Sequence, residues 1–102
     1  MLDESFWDEL TAVGDAARRA VPEIVSRYRH EGVLTWSLLH EIEAEVLAEL
    51  RALGKYEEWI LNMIRAAPVL GYPTDDRPVS FANAGVVPII FKLVEKAWKL
   101  VH

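Results

Sequence analysis

The sequence predicts an all-α fold: a small bundle of four to five helices with one long proline-rich loop, joined to a second copy through its C-terminal helix. Three observations carry that expectation. Apolar residues recur at spacings of three and four in four separate segments, no segment alternates apolar and polar residues, and glycine and proline fall between the periodic stretches. With 102 residues and 52% apolar against 26% charged side chains, the chain can bury one core, so residues 1–102 read as a single helical domain.

In the first segment Phe6, Leu10, Val13, Ala17, Ala20, Ile24 and Tyr28 fall within a narrow arc at 100° per residue, with Asp8, Asp15, Arg19 and Glu23 opposite. Ser5 followed by Asp8 resembles a capping box, which would start the helix there. Pro22 lacks an amide donor and crowds the preceding turn, so a kink or break is expected at that point, with Gly32 as a stop. The second helix has Thr35 as its cap and Leu39, Ile42, Val46, Leu50 and Leu53 as its stripe, widened by Trp36 and Leu47 and ended by Gly54 at C′. A third is expected over Tyr56–Ala67, closed by Pro68. From Pro68 to Ser80 three prolines, a glycine and two adjacent aspartates abolish any period, and Val69, Leu70 and Tyr72 are apolar anchors that hold the segment as an ordered loop. FANAG can form a short turn. Pro88 then suits the first turn of a last helix running to the C-terminus, although Gly85–Phe91 also has a β alternative.

That last helix carries the assembly expectation. Its apolar residues, Ile89 to Val101, span roughly 200° of circumference, about twice the stripe of an ordinary surface helix. The helix is therefore either central to the bundle or in contact with another subunit, and the second alternative is preferred, with Phe91, Val94, Trp98 and Val101 as the interface. A second copy of the chain is thus the first expected partner.

Charge is divided unevenly. Residues 1–53 hold eleven acids against five arginines, whereas residues 54–102 hold five acids against six basic residues, within a net charge of −5. An acidic chain with no basic stripe interleaved with aromatics is a poor match to a phosphate backbone, so nucleic acid is not an expected partner. Glu41, Glu45 and Glu49 line up on the outer face of the second helix and form the expected binding face for an unidentified protein. Lys92, Lys96 and Lys99 form a complementary row on the last helix, and solvation is the bland reading of both rows. Without cysteine, disulfides and thiolate metal sites are excluded. No apolar run reaches a membrane span, and Asp3 and Glu4 stand where a signal peptide would carry lysine or arginine. A cytoplasmic protein with no membrane partner is expected.

Candidate chemistry is sparse. Glu43 projects into an apolar arc with His40 three residues earlier, so the two could converge as an acid–base pair if burial raised the carboxyl pKa. The structural alternative pairs Glu43 with Arg18, Arg27 or Arg29 at the edge of the core. A carboxylate-bridged metal site would need further inward acids, and only Glu9 comes near, so neither a metal nor a cofactor is expected. Asp75, Asp76 and Arg77 could hold a cation or a substrate, and equally could be turn residues. No phosphate loop, nucleophile elbow or HExxH is present. The leading expectation is a non-enzymatic interaction or assembly module that presents an acidic face. The alternative is a small enzyme or ligand-binding bundle around Glu43 and His40.

Overall fold

The computed structural model describes residues 4–53, 72–81 and 87–102. Among them lie three helices and no strand: α1 (Glu4–Ser26), α2 (Trp36–Ala52) and α3 (Ile89–Val101). Each helix packs on the other two, giving a chain of 13.9 Å radius of gyration. The helix expected over Tyr56–Ala67, Gly54 at the C′ position of α2, the anchors Val69 and Leu70, and residues 82–85 of the expected FANAG turn lie outside the described residues.

The stripes read from the sequence become the core. Val13, Ala17, Val21, Ile24 and Val25 of α1 meet Leu39, Ile42, Val46 and Leu50 of α2 and Ile90, Phe91 and Val94 of α3, all of them buried. Removing these side chains from water is the main stabilising term, worth roughly 1.5–3 kcal/mol for each large aliphatic or aromatic group.

Three local expectations change, and of the kink or break expected at Pro22 the break is absent. α1 is continuous through Pro22 rather than broken, because its apolar face keeps one phase on both sides and packing on α2 and α3 outweighs one missing ladder bond. The helix already runs at Glu4, so Ser5 stands inside its first turn and not at its cap. It ends at Ser26, before Gly32, and Tyr28 lies in the turn that follows. Pro88 flanks α3 as its N-cap instead of occupying the first helical position, and its carbonyl accepts from the amides of Phe91 and Lys92 at 3.1 and 3.2 Å.

The start of α2 shows what holds residues 72–81 of the long loop. A helix leaves its first N–H groups without internal partners. Here Trp36 donates to the carbonyl of Arg77 at 3.0 Å, Ser37 to that of Asp75 at 2.9 Å, and Leu38 to the Thr35 hydroxyl at 3.3 Å. Val79 donates back to the Leu34 carbonyl, and Thr35 and Pro78 form an isolated antiparallel bridge. Tyr72 stacks on Trp36 at 5.5 Å and meets Phe91 edge-on at 5.3 Å, which anchors the loop as expected. Among the described residues no helix is long and apolar enough to cross a membrane.

Candidate functional site

α2 carries both sets of candidate side chains. Its inner face holds Glu43, only 8% exposed and the one buried charged residue among those described. Glu43 is partnered within the fold. His40, one turn earlier, is half-buried, and its Nε2 donates to the carbonyl of Pro73 at 2.9 Å. Its ring also lies edge-on to Phe91 at 5.5 Å. The structure therefore ties His40 to the loop. Arg18 pairs with Asp15 at 3.1 Å, Arg27 lies 4.0 Å from Glu23, and Arg29 donates to the Ser26 carbonyl.

On the outer face Glu41 and Glu49 are exposed, and among the described residues neither joins an ion pair. Glu45, between them, is half-buried and accepts a short hydrogen bond from the Tyr28 hydroxyl. Burial raises the Tyr28 phenol above its ordinary range; the hydrogen bond to Glu45 and the charges of Glu45 and Glu41 push the same way, against a smaller opposing effect of Arg27. In the sequence Tyr28 stands only as a stripe position; its polar tip, at the end of the first apolar stripe, is the available signal.

The Asp75–Arg77 turn is satisfied internally. Asp75 accepts from Arg77 Nε at 2.9 Å and pairs with its Nη2 at 2.8 Å, while the Ser37 hydroxyl donates to Asp76 at 2.8 Å. The hydrogen bond from Arg77 holds the Asp75 carboxyl below the usual carboxylate range, with the backbone amide of Arg77 adding to it.

Three of the four residues expected at a subunit interface are core residues. Phe91 and Val94 are completely buried and Trp98 nearly so, all within one copy of the chain, whereas Val101 is exposed. The wide apolar arc of α3 is split: its inner part fills the core, and its outer part surfaces at Ile89 (54% exposed) and Leu100 (78% exposed), with Leu93 half-buried between them. Beside that ridge lies a groove in two adjoining parts of about 230 and 240 Å³, walled by α1 and α3 and sharing Arg18 and Leu93. Small α1 residues, Thr11, Gly14 and Ala17, make one wall. Their spacing was legible in the sequence, but which helix they would face was not.

Residues 8–101 match the family described as Protein of unknown function (DUF2471). The chain belongs to that family. No curated protein and no solved structure matches the chain. The DUF2471 match takes in α1 from residue 8 onward and the whole of α2 and α3, so the acidic row of α2 and the groove between α1 and α3 both lie within the family's bounds.

Proposed function

We propose that this DUF2471 domain is a non-enzymatic, cytoplasmic interaction module, a bundle of four to five helices that self-associates and presents the acidic face of α2 to a basic surface of a protein partner. The observation that carries this reading is the state of the row: Glu41 and Glu49 exposed and without an ion-pair partner among the described residues, beside a Glu45 fixed by Tyr28. Such an arrangement steers a basic partner at long range and loses its pull as salt rises. The test is capture from an extract of the native source on the immobilised protein. Wild type retains a salt-released partner, and Glu41→Lys with Glu49→Lys retains none; recovery of the same partner at the same salt by the reversed protein would sink the proposal.

The burial of Glu43 favours a second reading, a small enzyme or ligand-binding bundle with its polar site around Glu43 and His40. It predicts that small metabolites raise the melting temperature of wild type and that Glu43→Gln removes the shift. A metabolite panel that leaves wild type unshifted counts against it.

A further inference from the structure

The groove between α1 and α3 has a property at odds with the charge of the whole molecule. In a chain of net charge −5, no acid among the described residues lines either part of it, while Arg18, paired with Asp15 at 3.1 Å, and Lys96 stand on opposite walls. Lys92, one turn before Lys96, is exposed, and among the described residues neither lysine joins an ion pair. The apolar ridge Ile89, Leu93, Leu100 runs for about 16 Å along α3 at the 1.5 Å rise of a helix. A cationic, apolar groove of this length suits a helix with an acidic flank.

We infer that the occupant is α2 of a second copy of this chain, docked head to tail with its Glu41 and Glu49 against Lys92, Lys96 and Arg18. The inference rests on the reading of the α2 row as a binding face and names its partner. Two arguments select this occupant. The acid row extends about 12 Å along α2, within the length of the groove, and is flanked by exposed Ala44 and Ala48, which allow the Ile89–Leu100 ridge to approach closely. The geometry also decides the mode. α2 packs on both α1 and α3, yet no α2 residue lines the groove, so the groove opens away from α2 while Glu41 and Glu49 are exposed outside it. One copy cannot place its own row in its own groove. A two-fold pairing of grooves would bring Lys92 and Lys96 of both copies together, with no acid among the described lining residues between them. What remains is a heterologous contact, which repeats from copy to copy as an open chain or a ring.

Sedimentation velocity tests this with two complementary blocks. Wild type at low salt should form species that grow with concentration and shrink when salt is raised. Glu41→Lys with Glu49→Lys blocks the face, and Gly14→Trp fills the groove; Ile89→Ser with Leu100→Ser replaces the latter should it fail to fold by circular dichroism. Each blocked protein alone should be monomeric. Mixed in equal amounts they should form a 1:1 dimer and nothing larger, because one intact groove meets one intact face. Wild type that stays monomeric at its solubility limit overturns the inference, as does association that survives either block or a mixture that forms no dimer. A monomeric wild type that still captures another protein through Glu41 and Glu49 overturns this inference and the self-association, and leaves the acidic-face reading standing.

Discussion

Tyr28 joins two elements through a single hydroxyl. Its hydrogen bond holds Glu45 of α2 against the turn after α1, and Tyr28→Phe should cost about 1 kcal/mol by urea unfolding, the net worth of one such bond. The pH dependence has a definite sign. A phenol raised in the folded state contributes stability that is complete below its unfolded pKa of about 10 and is lost as pH climbs from there through the folded value. Wild type should therefore lose stability on the alkaline side that Tyr28→Phe does not lose, so the gap between them should narrow as pH rises, and comparing the two in alkaline urea titrations checks it. Asp75 has the opposite sign: its lowered pKa gives a contribution present above the ordinary carboxylate range and lost as pH falls through the folded value. Phe91 shows how a position legible as apolar acquires its role from its neighbours. Trp36, His40, Tyr72 and Phe81 all set their rings within 6.3 Å of it, so Phe91→Ala should destabilise the isolated chain by roughly 3–5 kcal/mol. Equal thermal stability of wild type and that variant would show that the aromatic cluster contributes little.

α2 is the element whose sequence signals agree best with its structure. Thr35 caps it as expected, and Thr35→Ala should cost about 1 kcal/mol in chemical denaturation. The cap reaches only one of the free amides, and the loop carbonyls of Asp75 and Arg77 take two more. That closure joins residues 36 and 77, so local capping rules could not foresee it. α1 does not break at Pro22 for a related reason: propensity is a local quantity, and a buried face on both sides of the proline keeps the helix continuous. Within α1, Gly14 stands in a helix interior where an added Cβ would make ordinary contact with Arg18 at 3.6 Å. Gly14→Ala should accordingly raise stability by about 0.5–1 kcal/mol, measured as a shift in urea midpoint; a loss would mean the groove wall is intolerant of a methyl group.

For the molecule as a whole, the sequence alone determined the helical class, the core stripes of the three described helices, the cap of α2 and the opposite charge of the two outer rows. These depend on periodicity and on the chemistry of neighbouring residues along one helix. The 200° arc of α3 was legible too, but its division between core and surface was not: Phe91, Val94 and Trp98 looked as available to a second copy as Ile89 and Leu100. For the candidate site, the row Glu41, Glu45, Glu49 and the inward Glu43 were foreseen, whereas the tether of His40 to Pro73 and the hold of Tyr28 on Glu45 join residues 33 and 17 positions apart. Only the tertiary structure decided which side of α3 the other helices cover and which cations flank the remaining groove. The physical reason is that a helical period specifies the direction of every side chain relative to its own axis, while burial and pairing depend on what is packed across that axis by chain segments distant in sequence.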